Sequence, residues 1–388
     1  MIVKVYKEDI LEGLQKSANI IPARTGAAYL RTIWVKAENG QLSLMSTDSN
    51  LEFAGSYQAE IVEEGLAGVQ GRSFYDLVKR LPPGEITLKL EGDGRTMIIE
   101  QNQRNYKLPT NDVTWFQNLN IFPDVQTVVW SGDYLEELID RVAYCISDED
   151  TMEAIACMSL KPSPEEGADG KLEACGLNGH QFAMVSFVNQ DLAEIIPEEG
   201  ILIQKKYIME LKKWLASDSV ELAISEKRLF FRSGDGRETF SLPLSYYQYP
   251  DYRNFLSKLK EDSVSALAVN RASLADSLER LLIFNTESNR CTYFDFSGDG
   301  LVLTTQGQEV GSAKETLEAD FKGDIKRIAF PTRNLIEMLG HFASDSVGFT
   351  LTGSEGPCGI RGEDDPDYLT IIMPMKIVEE TYYSEEDI

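Results

Sequence analysis

Histidine is scarce in this chain, with His180 and His341 the only two among 388 residues. Cysteine is limited to Cys145, Cys157, Cys175, Cys291 and Cys358, an odd number, widely spaced and without a CxxC pair. That pattern excludes a zinc framework of the usual spacing and argues for buried free thiols over a disulfide scaffold. Long apolar runs are missing as well, and the N-terminus MIVKVYKEDILEGLQ carries charge in its first turns. Neither a signal peptide nor a membrane span fits it, so a cytosolic protein is expected. No P-loop or GxGxxG opens a helix, and no Ser, Thr or Cys stands with a histidine in a nucleophile–base pattern. Positive charge is short too: 37 Lys and Arg face 63 Asp and Glu, for a net charge of −26. That excludes binding of nucleic acid by bulk electrostatics, though not by a few basic residues gathered on one inner surface.

What the chain has is repetition. Residues Ile201 to Ile224 read ILIQKKYIMELKKWLASDSVELAI, and 127 positions on, Ile328 to Leu351 read IAFPTRNLIEMLGHFASDSVGFTL. Both copies pattern as strand, amphipathic helix, turn and strand, with Leu211 and Leu215 or Met338 and Phe342 inward. A fainter copy lies at Leu66 to Leu90, where Val69, Leu77 and Leu81 match Ile203, Leu211 and Leu215. The joints repeat as well: Phe122-Pro123-Asp124 returns as Tyr249-Pro250-Asp251, again 127 positions on. Three like units in tandem are therefore expected, over residues 1–123, 124–251 and 252–377, with an acidic tail at 378–388. Each has the common size of a domain with its own core.

Within each unit the pattern predicts about two helices and eight strands, an α+β fold with antiparallel sheets. Unit one reads as a strand at Ile2 to Tyr6, a helix from Lys7 to Ala18, strands over Ala27 to Ala37, Gln41 to Thr47 and Leu51 to Ile61, then the repeated block. Asn39-Gly40 is a hairpin signal. Unit two repeats the order, with a helix from Asp133 to Ile146 and strands at Ala154 to Lys161, Lys171 to Gly176 and Gln181 to Asn189. Unit three has its first strand at Ser265 to Val269 and its first helix at Arg271 to Phe284.

The three matched second helices carry Arg72, Lys206 and Arg333 in their first turn. A cation there opposes the helix dipole at a cost of roughly 0.3 to 1 kcal/mol. Asp76, Glu210 and Glu337 follow four residues later, which would pair each in the poorer order, base before acid. Three breaks of one local rule at one repeat position suggest a use elsewhere, for instance a positive band around a hole if the repeats form a ring. The acidic runs Asp148-Glu149-Asp150 and Glu363-Asp364-Asp365 could hold a divalent ion, but in so acidic a chain they read as solvated loops.

Five stretches carry a resemblance: LSLMSTDSNLEF at Leu42 to Phe53, GRSFYDLVKRLP at Gly71 to Pro82, NGHQFAMVSF at Asn178 to Phe187, YPDYRNFL at Tyr249 to Leu256 and TIIMPMKI at Thr370 to Ile377. With them the chain resembles the bacterial sliding clamps, the beta subunits of DNA polymerase III, over essentially its whole length to Ile377. The resemblance implies three clamp-fold repeats per chain and a head-to-tail homodimer closed into a ring, with helices lining the hole. It implies no catalytic activity, no cofactor and no metal. Duplex DNA would be met nonspecifically by Arg24, Arg72, Lys205, Lys206 and Arg333, with Arg141 a further candidate. A groove would take short linear motifs of the polymerase, the clamp loader and repair proteins. Its matching positions are Ile155, Leu177, Gly179, His180, Phe182, Pro250, Phe255, Ile371, Ile372, Met373, Pro374 and Met375. Tyr106 and Leu108 would meet Ile283 and Phe284 across the subunit contact. The chain departs from the family at Gln181, where Arg is common, at Asp148 and Met152 in the preceding loop, and in the tail VEETYYSEEDI. Alternatives from other classes are an acidic metal-dependent enzyme built on the carboxylate runs and a peptide-binding scaffold that never encircles DNA.

Overall fold

The expected alternation of strands and helices is realised as antiparallel sheets with helices packed on them. The computed structural model describes residues 1–22, 27–149, 152–164, 169–216, 219–225, 227–261, 263–287, 289–296, 300–307 and 310–377. Arg24, Asp150 and the tail at 378–388 thus lie outside the described residues. The chain divides into two compact units, Met1–Ile139 with Gln190–Tyr246, and Asp140–Asn189 with Tyr247–Ile388. Residues of the middle sequence repeat contribute to both.

In the first unit, strand Ile2–Tyr6 leads into helix Lys7–Ile20, which buries Ile10, Leu14 and Ala18. The Asn39-Gly40 hairpin forms as its sequence predicts, with φ of +53° and +74° at the two turn residues and Glu38 paired to Gln41. Helix Gly71–Arg80 turns Phe74, Tyr75 and Val78 into the same core. Lys7 is buried, and its amine donates to the carbonyls of Lys79 and Leu81 at the end of that helix. A buried cation is tolerated there because the carbonyls at a helix C-terminus lack partners and carry partial negative charge.

Sheet pairing runs on beyond the first repeat. Strand Glu52–Gln58 pairs with Glu238–Pro243 of the second repeat, Phe53 opposite Phe240. Beneath this seam Glu238 accepts from Tyr57 Oη (2.8 Å) and Lys16 Nζ (2.7 Å). The Tyr57 ring passes so close to helix Lys7–Ile20 that a Cβ on Gly13 would fall 1.9 Å from its hydroxyl, which is why that helical position carries no side chain. The unit also holds helix Lys205–Trp214 and strands Thr127–Ser131, Ser219–Ser225 and Arg228–Ser233.

The second unit has the same kind of seam. Strands Cys157–Pro162, Lys171–Leu177 and Gln181–Val188 continue into the chain's last strand, Tyr368–Ile372, then Cys358–Gly362, Ser346–Leu351, Ser265–Asn270 and Ala319–Lys322. A four-stranded sheet holds Gly311–Leu317, Leu301–Gly307, Cys291–Asp295 and Arg327–Pro331. Helices Arg271–Leu282 and Thr332–Leu339 bury Leu274, Leu278 and Leu281, and Leu335, Met338 and Leu339.

Several boundaries differ from the sequence reading, each for a local reason. Residues Ala28–Arg31 form a 3-10 turn, with Thr32 Oγ1 donating to Ala28 O (3.0 Å), and strand Thr32–Glu38 starts only after it. The helix expected to Ile146 ends at Ala143, and the strand expected from Ala154 starts at Cys157, because Ile155 N–H closes a turn onto Met152 O (3.0 Å). Two short helices, Gln190–Ile195 and Arg253–Lys258, were not foreseen; Asp251 Oδ1 accepts from Arg253 N–H (3.1 Å) at the start of the latter.

The solvated-loop reading of Glu363-Asp364-Asp365 fails at its last member. Asp365 is buried and accepts from Ala343 N (2.9 Å), Ser344 N (2.9 Å), Ser344 Oγ (2.7 Å) and Arg141 Nη2 (3.2 Å). Burial acts to raise its pKa, but the Ser344 hydroxyl, the two N–H groups and the Arg141 charge outweigh it and hold the carboxyl below 3.8. A depressed folded-state pKa adds stability that is present above the unfolded value and lost as pH falls through the folded one. Asp365→Asn should therefore destabilise the chain by about 3 kcal/mol at neutral pH, the order found when one partner of a buried pair is removed. In denaturant titrations its stability should also fall less steeply than the parent's as pH drops below about 4.

Candidate functional site

Helices Gly71–Arg80, Lys205–Trp214 and Thr332–Leu339 each start where a strand ends, at Gln70, Gln204 and Pro331. Arg72, Lys206 and Arg333 are the second residue of their helices, so the three cations hold one position relative to three like backbones. Their helices turn Phe74 and Val78, Ile208 and Leu211, and Leu335 and Met338 into the cores. The cations are left on the outer side: Lys206 and Arg333 are exposed and Arg72 is half-buried.

The base-before-acid pairs anticipated from the sequence do not form. Asp76 lies 3.7 Å from Arg80 and Glu210 lies 2.6 Å from Lys213, each acid turning to the base that follows it, the better order for a helix. Among the described residues Arg72, Lys206 and Arg333 make no ion pair, although Lys206 Nζ rests 4.8 Å from the centre of the Tyr207 ring. Unpaired cations at a helix start keep their full charge for an external anion. Lys205, next to Lys206, is half-buried. Arg141 is used differently: its guanidinium meets Asp365, lies 5.2 Å from the centre of the Tyr368 ring and is largely covered. Arg24 lies outside the described residues.

The second unit also carries an apolar face. Strands Lys171–Leu177 and Gln181–Val188 are joined by Asn178-Gly179-His180, where Asn178 Oδ1 accepts from His180 N (3.0 Å) and Gln181 N (2.8 Å). Gly179 at φ +89° takes the left-handed conformation that this turn requires. Pairing sets Phe182 opposite Ile371 and Gln181 opposite Ile372. Beyond that strand Met373 N–H donates to His180 O and Met375 N–H to Ala329 O, both at 2.8 Å, with Pro374 between them.

The expected groove residues divide into a buried set and an exposed set. Phe182, Ile371 and the partly buried Leu177 form one cluster, and Ile155 and Ile372 are buried. Gly179, His180 and Pro250 are exposed, as are Phe255 (43%) and Met375 (37%), while Met373 and Pro374 are half-buried. Sequence reasoning missed Tyr252, Leu256 and Leu369, which pack in the same cluster as Phe182 and Ile371. The Tyr252 ring lies 4.9 Å from that of Phe182, under Lys161 Nζ at 4.4 Å, and its hydroxyl donates to Glu173 Oε2 at 2.5 Å. Burial, then the neighbouring Cys175 and Glu173, push the Tyr252 phenol far above its ordinary pKa, so it stays a neutral donor. The aromatic repetition in YPDYRNFL was the available signal.

Gln181 is buried, and its Oε1 accepts from Asn178 Nδ2 (3.1 Å) and Asn334 Nδ2 (2.9 Å). It therefore ties the turn to helix Thr332–Leu339 in place of presenting a charge. Asp148 and Met152 are exposed. Among the described residues no group of three or more His, Cys, Asp and Glu side chains is placed to hold a metal ion.

Each unit also ends in an open strand edge. Residues 104–109 of strand Arg104–Asn111 pair with Thr96–Gln101, and only Thr110 and Asn111 meet Gly65–Gln70. Tyr106 and Leu108 lie on the open portion, half-buried against the core. In the second unit Gly311–Leu317 is the outer strand of its sheet, clamped to helix Arg271–Leu282 by Arg280 and Glu315 (2.7 Å). Ile283, just past that helix, is 72% exposed, and Phe284 is half-buried.

Residues 1–120 match the model of the DNA polymerase III beta subunit N-terminal domain, and residues 259–376 that of its C-terminal domain. The chain is 23% identical to the beta sliding clamp of Caulobacter vibrioides (strain NA1000 / CB15N) over 380 residues, 97% of this chain and 100% of that one. Its fold matches the DNA polymerase sliding clamp of Caulobacter crescentus with a TM-score of 0.89 at 23% identity, over 97% of this chain and all of that one. A sliding clamp from Bartonella birtlesii bound to griselimycin matches with a TM-score of 0.88 at 24% identity and the same coverage. Matched at both ends by its domain models and along its length by its members, the chain belongs to the bacterial DNA polymerase III beta subunit family, the beta sliding clamps.

Proposed function

We propose that this chain is a DNA sliding clamp: two copies join head to tail, close around duplex DNA and hold the replicative polymerase on it. The observation that carries this reading is the set of unpaired cations at one helical position, Arg72, Lys206 and Arg333, in a chain of net charge −26. Acid over the rest of the surface repels phosphate, so DNA is met only where these helices face it. A ring needs no tight grip, since topology retains it, and weak phosphate contacts without base readout permit sliding. In this reading residues 1–123, 124–251 and 252–377 are three clamp domains, supported by the 127-residue period and by where the two family models end and begin. Arg24 and Lys205 join the cationic set; Arg141 is left to its buried pair.

Ring closure uses the open edges, Arg104–Asn111 of one copy beside Gly311–Leu317 of the next, with Tyr106 and Leu108 against Ile283 and Phe284. Exposed edges are otherwise an aggregation hazard, and mutual pairing removes two at once. The apolar face takes short linear peptides of the polymerase, the clamp loader and repair proteins, its floor fixed and its methionine rim adaptable. The clamp works in the cytoplasm, at the nucleoid, and has no catalytic activity of its own.

Loaded on nicked circular DNA, the clamp should persist in high salt and leave when the circle is cut; release by salt alone would show electrostatic binding without encirclement. On linear duplex, replacing Arg72, Lys206 and Arg333 together by alanine should flatten the slope of log K against log salt by about 0.9 for each phosphate that is no longer neutralised. Ile283→Asp should give a monomer in sedimentation at micromolar concentration, with the fold retained, because a carboxylate would be desolvated in the contact. Phe255→Ala should weaken griselimycin binding by about tenfold without lowering the melting temperature, as expected of an exposed anchor in a peptide site.

A further inference from the structure

We propose that Arg104 of the partner subunit docks on Glu315 of this chain, and that this pair, opposite in polarity to the one at the first joint within a chain, reserves the last strand of the first repeat for the joint between copies. The proposal rests on the ring reading above and adds to it what tells three similar joints apart. Two of those joints lie inside one chain, Glu238–Pro243 beside Glu52–Gln58 and Tyr368–Ile372 beside Gln181–Val188. They show what a third would bring together.

Strand pairing fixes the equivalent positions. Leu88 stands opposite Ile99 and Ile99 opposite Tyr106, just as Leu222 stands opposite Phe231 and Phe231 opposite Phe240. Leu222 follows Leu88 by 134 positions, the shift that matches Leu77 to Leu211, and Phe240 follows Tyr106 by the same 134. Arg104 therefore holds in the first repeat the position of Glu238 in the second. On the receiving side, Ala67, Val35, Leu44 and Gly55 lie opposite one another in turn, and so do Ile328, Phe294, Leu303 and Glu315. Ile328 follows Ala67 by 261 positions, the shifts of 134 and 127 together. Glu315 thus holds the position of Gly55, the residue opposite Glu238. A joint between copies in the register of the first joint sets Arg104 of the partner subunit opposite Glu315, its Tyr106 opposite Ala313 and its Leu108 opposite Gly311. Large apolar side chains then meet small ones, and a base meets an acid.

The first helix of each repeat shows the reversal. Its tenth residue is a base each time: Lys16 in Lys7–Ile20, Arg141 in Gly132–Ala143 and Arg280 in Arg271–Leu282. At the first joint Lys16 donates to Glu238 on the incoming strand (2.7 Å), and at the second Arg141 reaches Asp365, three residues before the incoming strand Tyr368–Ile372 (3.2 Å). Arg280 instead donates twice to Glu315 on the receiving strand, at 2.8 and 2.7 Å. Two donors leave that carboxylate with lone pairs unused, and each of its oxygens can accept from a second guanidinium. Arg104 is exposed and makes no ion pair among the described residues. The last strand of the second repeat, led by Glu238, would set like charges together at this edge, so the same position that admits one strand refuses the other.

The test is sedimentation of the full-length chain, followed by native mass spectrometry of mixtures. Arg104→Glu should raise the dimer dissociation constant about a hundredfold with the parent's melting temperature retained, because the substituted side chain is exposed and like charges then meet at both contacts of the ring. A chain carrying Glu315→Arg should also fail to self-associate. Mixed, the two variants should form a heterodimer almost exclusively, since each of its contacts joins a base to an acid; a side chain with a merely structural role would give no such preference. Added to Arg104→Glu, the milder Glu315→Gln should recover about tenfold in affinity through Arg280. An Arg104→Glu chain that dimerises like the parent, or two folded variants that form no heterodimer, would overturn the proposal and leave the ring reading in place. If Glu315→Arg lowers the melting temperature, the Glu315→Gln arm decides alone, and no recovery overturns the pairing. A parent chain that stays monomeric at every concentration would remove the ring reading and this proposal with it.

Discussion

Antiparallel pairing between strands of different repeats is the interaction on which the rest of this structure depends. In the first unit Glu52–Gln58 runs beside Glu238–Pro243, and in the second Gln181–Val188 runs beside Tyr368–Ile372. Each join satisfies backbone groups that would otherwise form an exposed edge, and each brings side chains distant in sequence into one layer. The Lys16, Tyr57 and Glu238 contacts lie under the first join, and the Phe182, Ile371 and Tyr252 cluster under the second. The proposed peptide site is thus a by-product of how two repeats are sewn together.

The electrostatics follow one division of labour. Several cations of the described surface are spent on nearby acids, such as Arg232 on Glu221 at 2.5 Å and Arg280 on Glu315 at 2.7 Å. Surface pairs of this sort add little stability, but they remove free positive charge from the outside. Arg72 and Lys206 escape that pairing because Asp76 and Glu210 turn toward the C-termini of their helices, where Arg80 and Lys213 sit, and Arg333 likewise makes no ion pair among the described residues. A repeated helical position is thereby kept available for phosphate, which a proposed clamp needs and an acidic surface alone would refuse.

The apolar face shows how rigidity and accommodation can share one site. Its floor is held by a buried Tyr252–Glu173 hydrogen bond and ring packing against Phe182, so it has little freedom to rearrange. Of the residues expected around it, Phe255, Met375 and Gly179 are exposed. Gln181 keeps the turn in place through uncharged hydrogen bonds to Asn178 and Asn334.

The sequence by itself determined the α+β class and the cations at matched helix starts, because periodicity and spacing are local properties of the chain. Leu177, Phe182, Ile371 and Met375 were legible through motif resemblance, and the Asn39-Gly40 turn through backbone chemistry alone. Only the tertiary structure decided how each charge is spent. Asp365 lies in an acidic run that reads as solvated, yet it is buried among Ser344, Ala343 and Arg141, which also withdraws Arg141 from the cationic set. Asp76 and Glu210 chose partners opposite to those their spacing allowed, and Tyr252 became the floor of a site that it was not seen to line. Arg141 reaches Asp365 from 224 positions away and Glu173 reaches Tyr252 from 79, and a local pattern carries no record of such neighbours.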